Sequence, residues 1–493
     1  MSSIHSWILN IVYAAIVVVA SPWLLWRFIK GKSRRGWGQK LFGSIDPPTD
    51  VTSSAQDARE LIWIHAVSVG EVNLLGCIID EFRSRDPEIT FAISTTTETG
   101  YDLAKSKYPE SYLFFCPFDF TWAIKRVLKR LNPAALVLTE LELWPNLIAT
   151  ADRLGVDVVV ANGRLSEKSA RGYGRMSWLL KSSFEKLSLV LCQSSTYADR
   201  FVSLGCDRRD VRVTGNVKFD HIETDRRNEA TQKLVRLSGI DASEQVFLAG
   251  STQLEEDLIA AKALQELAPE YPQLRLVLAP RHPQRVGELI SRLEQIGIEI
   301  QLRSELESQH KGSFALGLKP EVQSSEFITQ SVSEGPSLAY ASGYDNRFGQ
   351  QELNRTSRPV LIIDVIGELG SWWGRADIAY VGGSMGSREG QNMIEPAGYG
   401  VPVSFGPRTK NFQELVNDLI ANDAATIVKS QSELRDFVQH CLSDPSAAQS
   451  AGSRAQQVVL NHAGASARTV DAIFDLVRGT QGQAQPPQVS DAA

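Results

Sequence analysis

Apolar runs of strand length alternate with stretches of helical period through most of the chain. In a first series the runs centre near Ile62, Phe91, Leu113, Leu136, Val158, Val190 and Val211, and a helix candidate follows each. A polar, charged stretch, residues 223–244, interrupts the rhythm. It then resumes with runs near Phe247, Val277, Leu361, Ala379, Val403 and Ile427. This alternation is the signature of a parallel sheet wrapped by helices. Two such series predict an α/β chain of two doubly wound domains, 41–222 and 223–478, with a cleft between them and ligands at the carboxyl ends of the strands. Residues 303–357, rich in Ser, Gln, Glu and Gly, interrupt the second series as a surface insertion. The tail, 479–493, has no apolar face and is expected to be disordered.

The amino-terminal pattern differs. Residues 7–26 carry no charge, and as a helix they would extend about 30 Å, enough to cross a bilayer core. Arg27, Lys30, Lys32, Arg34, Arg35 and Lys40 follow without an acidic residue among them. Positive charge after the span places the downstream chain in the cytoplasm, and the missing basic start argues against a cleaved signal peptide. Residues 1–40 therefore read as a membrane anchor with a basic neck, although Pro22 leaves a kink or a shallow monotopic insertion open. On this reading the span only holds the rest at the membrane, and Arg34, Arg35 and Lys40 face anionic lipid or an acceptor's phosphates.

Length and composition narrow the class. A chain of 493 residues that is 43% hydrophobic suffices for two full cores, and a net charge of −6 argues against a nucleic-acid partner. The five cysteines, Cys77, Cys116, Cys192, Cys206 and Cys441, share no CxxC spacing and no His pattern. They read as reduced, mostly buried thiols, and no metal site is expected.

Candidate chemistry lies where strands end. Gly382-Gly383-Ser384 follows one strand, and Asn392-Met393-Ile394-Glu395 opens the next helix. Glycines let backbone N–H groups approach a phosphate, and a carboxylate just inside a helix can hold ribose hydroxyls; an ordinary turn is the alternative. Far upstream, Ser68-Val69-Gly70 turns into a helix with Glu71 in its first turn, a position that favours an ionised carboxylate, as a general base needs, or one that merely complements the helix dipole. Glu140 and Glu142 precede a Trp-Pro helix start and could serve chemistry or capping. Lys218, in Gly215-Asn216-Val217-Lys218, could reach an anionic ligand. Arg281 and His282, between prolines, suit a phosphate and a base, and Ile366-Gly367-Glu368 can offer backbone groups to a nucleobase edge.

In this order, the segments resemble the 3-deoxy-D-manno-octulosonic acid (Kdo) transferases of lipopolysaccharide inner-core synthesis. The matching residues are those from Trp63 to Glu71, Glu140-Leu141-Glu142-Leu143-Trp144-Pro145-Asn146, Gly215-Asn216-Val217-Lys218-Phe219-Asp220, Ala279-Pro280-Arg281-His282-Pro283, Gly367-Glu368-Leu369, and those from Asn392 to Ala397. The resemblance covers residues 30 to 470. It implies a metal-independent, inverting glycosyltransferase of the GT-B type on the cytoplasmic face of the inner membrane, moving Kdo from CMP-Kdo to a lipid A precursor without a further cofactor. It also implies roles: Glu71 as base; Glu140 or Glu142, with Lys218, as transition-state stabilisers; Arg281, His282, Ile366 to Glu368 and Asn392 to Glu395 as the CMP site. Gln391 stands where the family usually has His, and Ser251-Thr252-Gln253-Leu254-Glu255-Glu256 lacks the usual His-Glu-Gly. Competing readings are a sugar-nucleotide epimerase of the same architecture and a membrane-bound nucleotide-binding protein that has lost catalysis.

Overall fold

A computed structural model describes residues 3–29, 35–47, 60–306 and 358–479. Arg34, most of the insertion (307–357) and the tail from 480 lie outside the described residues.

The chain divides into two compact units, one of residues up to His221 together with those from His462, the other Ile222–Asn461. In the first, seven parallel strands are ordered β3-β2-β1-β4-β5-β6-β7: β1 Leu61–His65, β2 Thr90–Thr95, β3 Tyr112–Phe115, β4 Ala135–Thr139, β5 Asp157–Gly163, β6 Leu189–Cys192 and β7 Val211–Val213. β1 and β4 are buried along their whole length, because helices cover both faces; this is why they read as unbroken apolar runs. One core lies on each face, around Trp63, Phe114 and Phe201 on one side and around Ile64, Phe82 and Ile473 on the other.

The second unit repeats the design with seven parallel strands in the order β10-β11-β9-β8-β12-β13-β14: β8 Gln245–Thr252, β9 Leu274–Pro280, β10 Ile300–Leu302, β11 Val360–Ile362, β12 Ile378–Val381, β13 Val403–Phe405 and β14 Ala425–Ile427. Every strand expected from the apolar runs is present, and β10 is additional. In each sheet the winding reverses beside the first strand, between β1 and β4 and between β8 and β12. At such switch points the strand carboxyl ends open a crevice.

Residues 462–478, assigned from sequence to the second domain, pack with the first. The helix Ala465–Val477 buries Ala465, Val470, Ile473 and Phe474 in the first unit's core. Its first N–H groups, on Gly464, Ala465 and Ser466, donate to the Asp220 carboxylate, which caps a helix that has no side-chain cap of its own.

The expected amino-terminal helix forms as Ser3–Ile29, 27 residues with Pro22 inside it. Yet among the described residues no helix is long and apolar enough to cross a membrane. Ser6, Leu9 and Asn10, one stripe of this helix, are buried against the first unit, whereas Trp7, Ile8, Ile11 and Val12 are exposed. The first turns of this helix therefore pack against the protein along one side. Lys40 of the expected basic neck is buried too. Its ammonium donates to the Thr96 carbonyl at 3.2 Å and sits 4.6 Å from the centre of the Phe115 ring; it does not face outward, and burial lowers its pKa.

Candidate functional site

Three acidic residues of the first unit, Glu71, Glu140 and Glu142, come together at the β1/β4 switch point. Glu71 is the third residue of the helix Val69–Arg85, and its carboxylate folds back over the helix start. Oε2 accepts the N–H of Val67 at 2.7 Å and the Thr139 hydroxyl at 2.9 Å, and the Ser68 hydroxyl lies 3.3 Å from Oε1. Burial raises its pKa, opposed by the bonds from Val67, Thr139 and Ser68 and reinforced by nearby Glu140. The helix start thus does not dominate, and burial outweighs the donors. A carboxylate so placed holds a proton more readily than an exposed one, as a general base must. A Cβ at Gly70 would meet only the Ser68 hydroxyl, at an ordinary contact distance of 3.8 Å, so its absent side chain serves no close approach within the chain.

Glu140 follows β4 with φ +56, a conformation uncommon outside glycine and found where surrounding structure enforces it. Its N–H donates to the Ala161 carbonyl at 2.9 Å, and its carboxylate lies 3.7 Å from the Lys218 ammonium. Lys218 sits on the short turn Val217–Phe219. Asn162, at the bulged end of β5 and also at φ +56, pins this turn by accepting the N–H of Val217 at 3.1 Å. Glu142 accepts from the Trp144 indole at 3.0 Å; burial, then the nearby Glu71 charge, raises its pKa. Glu71, Glu140, Glu142 and Lys218 thus belong to one neighbourhood, whereas Arg35 is engaged elsewhere, in an ion pair with Asp102 at 2.6 Å.

The second unit departs from expectation at its glycine loop. The N–H groups of Gly383 and Ser384, expected to face a phosphate, donate to buried Glu256, as does that of Met385 after them. The Ser384 side chain is equally committed, donating to the Val381 carbonyl and accepting the N–H of Gly406, each at 2.7 Å. Gly382 permits the approach, since a Cβ there would lie 2.9 Å from the Glu256 carboxylate. Glu368 is likewise engaged: Arg303, almost wholly buried, donates to both its oxygens.

Other residues remain available. Arg281 is exposed at the end of β9, its backbone N–H donating to the Thr252 carbonyl, and His282 beside it is half-buried. Ile366 is 84% exposed next to Gly367, whose φ is +95. Asn392 donates to Glu395 at 2.9 Å and accepts the N–H of Ile394, while Met393 and Ile394 are buried and serve packing. Burial raises the pKa of Glu395, opposed by the bond from Asn392. A cavity of about 850 Å³ lies at the other end of this sheet, near Glu244, Gln245 and Asp377 at the amino ends of β8 and β12, away from these groups.

Thr139, Asn162, Glu256 and Arg303 escaped sequence reading. Asn162 had a signal, an Asn-Gly pair ending an apolar run. The partners of Glu256 and Arg303 are distant in sequence and left none.

Two all-parallel units with their polar groups at the strand carboxyl ends define the class, an α/β protein of GT-B architecture. Residues 35–221 match the family of 3-deoxy-D-manno-octulosonic-acid transferases, the kdotransferases. The chain is 28% identical over 413 residues to the 3-deoxy-D-manno-octulosonic acid transferase of Haemophilus influenzae, covering 83% of this chain and 86% of that one. To the Bordetella pertussis 3-deoxy-D-manno-octulosonic acid transferase it is 28% identical over 463 residues, covering 92% and 96%. Among solved structures, the UDP-GlcNAc 2-epimerase from Neisseria meningitidis bound to UDP-GlcNAc superposes with a TM-score of 0.54 over 84% of this chain and 100% of that chain, at 12% identity, a likeness of fold alone. The likeness to 3-deoxy-D-manno-octulosonic acid transferases thus extends over most of the chain, and the family match itself covers the first unit.

Proposed function

We propose that the protein transfers Kdo from CMP-Kdo to a lipid A precursor, lipid IVA, with inversion at the anomeric carbon. The observation that carries this is Glu71, a carboxylate made basic by burial and held by Val67, Ser68 and Thr139 in a chain similar to the Kdo transferases. Glu71 takes the proton of the acceptor hydroxyl as that oxygen bonds to the anomeric carbon. The bond from this carbon to the CMP phosphate oxygen breaks, and CMP leaves with the electron pair. Lys218, steered by Glu140, offsets the charge developing on the phosphate. Glu142 supports the acceptor side. The nucleoside falls to His282, the exposed turn at Ile366 and Gly367, and Asn392 with Glu395, whose carboxylate suits ribose hydroxyls; the filled loop at Gly383 and Ser384 serves as a wall.

The acceptor is a lipid, and the exposed outer face of the amino-terminal helix, Trp7, Ile8, Ile11, Val12 and Ile16, with Trp178 on the same unit, supports attachment to the cytoplasmic face of the inner membrane by a helix lying in the interface. The test is incubation with CMP-Kdo and lipid IVA. A mass gain of one or more Kdo units, with the opposite anomeric configuration by NMR, is expected. CMP-Kdo left unconsumed by folded protein would sink the reading.

A further inference from the structure

The amino-terminal helix Ser3–Ile29 carries polar groups where an attachment would need none. Ser6, Asn10 and Tyr13 recur at spacings of four and three along the stripe turned toward the first unit. Asn10 is 7% exposed. Its Nδ2 donates to the Thr121 hydroxyl at 2.8 Å, and its Oδ1 accepts from the N–H of Thr121 and from Nδ2 of Asn146, both at 3.2 Å. Tyr13 bonds the Asp119 carboxylate through its hydroxyl and lies edge-on to Phe120, ring centres 6.3 Å apart. A buried amide costs stability unless it is bonded; here its bonds bridge to two other segments of the chain.

Those segments lead to the acidic residues. Asp119 accepts the N–H groups of Asn146 at 3.0 Å and Leu147 at 2.8 Å, and its carbonyl accepts Asn146 Nδ2 at 2.7 Å. It thereby caps the helix Pro145–Arg153, whose own N-cap residue, Trp144, supplies no acceptor. Immediately before this helix start run Glu140, Leu141, Glu142 and Leu143, with the Trp144 indole holding Glu142. The pose of residues 140–144 is fixed at one end by β4 and at the other by this cap.

We propose that Asn10 and Tyr13 are positioning residues: through Asn146 and Asp119 they set residues 140–144, so that the amino-terminal helix is a working part of the acceptor half and not only its attachment. This rests on the reading of Glu140 and Glu142 given above. It replaces the division of labour expected from sequence, in which the helix could be removed without consequence for catalysis.

Hydrogen exchange and turnover of the full-length chain carrying Asn10→Leu, and separately Tyr13→Phe, test it. Both substitutions keep the apolar docking and remove hydrogen bonds. Asn10→Leu is expected to speed amide exchange in residues 140–150 at least tenfold while the second unit exchanges as before. With lipid IVA dispersed in detergent, where attachment no longer matters, kcat should fall at least fivefold with the CMP affinity unchanged. Asn10→Ala combined with Asn146→Ala should be no worse than the more severe single variant, since both act on one cap. Wild-type exchange in residues 140–150 would overturn the inference, and so would loosened exchange with wild-type kcat in detergent. Should Asn10→Leu fail to fold, Tyr13→Phe, which removes a single hydroxyl, decides by the same two readouts. If even the wild-type chain transferred no Kdo, the functional reading would fall, and the exchange data would still decide whether the helix sets this loop.

Discussion

Glu256 accepts the backbone N–H of Gly383 at 2.7 Å. The same carboxylate takes the N–H groups of Ser384, Met385 and Gln253 and the Tyr380 hydroxyl, five donors between 2.7 and 3.0 Å, while only 2% exposed. A run of amides that would otherwise bind an anion holds one belonging to the protein, at the switch point of the second sheet. Glu256→Gln would turn an NH₂ toward N–H donors. Each donor left unpaired costs about 1–3 kcal/mol, so we expect two of them to lower the stability of this unit by roughly 2–6 kcal/mol and to weaken CMP binding. Thermal melting and calorimetry with CMP check both; a variant that melts and binds as wild type would refute the role.

Glu71 gives a pH prediction. Its pKa is raised by burial and held down by three donors, Thr139 among them. A base works only when ionised, so the rate should fall as pH falls through this raised value. Thr139→Val removes one stabilising donor, which raises the pKa further and should move the acidic limb of kcat to higher pH. Glu71→Gln should lose turnover by about 10²-fold or more, since general-base catalysis typically contributes 10²- to 10⁴-fold, with CMP binding retained. An acidic limb that stays in place in Thr139→Val would separate it from Glu71.

Much of the architecture was legible because parallel strands buried on both faces are written as unbroken apolar runs. β10, three residues beside a polar stretch, was too short to stand out. The candidate residues at the strand ends were legible as residue types at expected places, but their partners were not. Nothing local tells that Glu256 fills the loop at Gly383, or that Arg303 neutralises Glu368, because each pairing closes a long loop. The amino-terminal helix misled for a related reason: mean hydropathy outweighed Ser6 and Asn10, whose helical spacing was the sign of a docked face.

Asp220 tests the return of the chain to the first unit. Its carboxylate bonds the N–H groups of Gly464, Ala465 and Ser466. Loss of a helix cap costs about 0.5–2 kcal/mol; Asp220→Ala should show a destabilisation in this range by denaturant unfolding, and Asp220→Asn, which keeps one acceptor, a smaller one. Because Lys218 lies on the adjoining turn, turnover should fall with it. Full stability in Asp220→Ala would mean that apolar burial alone docks the helix Ala465–Val477.

Lys218 and Glu140 separate catalysis from stability. Their charges lie 3.7 Å apart with each side chain about a third exposed, and such pairs contribute about 0–1 kcal/mol to folding. Lys218→Met and Glu140→Gln should therefore unfold close to wild type. Their effect should fall on turnover: without Lys218 the departing phosphate loses a cation, and without the Glu140 charge the ammonium loses the partner that aims it. If the two act as a unit, the double variant should lose little more activity than Lys218→Met alone. Strictly additive losses would mean that Glu140 acts by itself. A marked fall in stability with kcat unchanged would make the pair structural and remove both residues from the transition state.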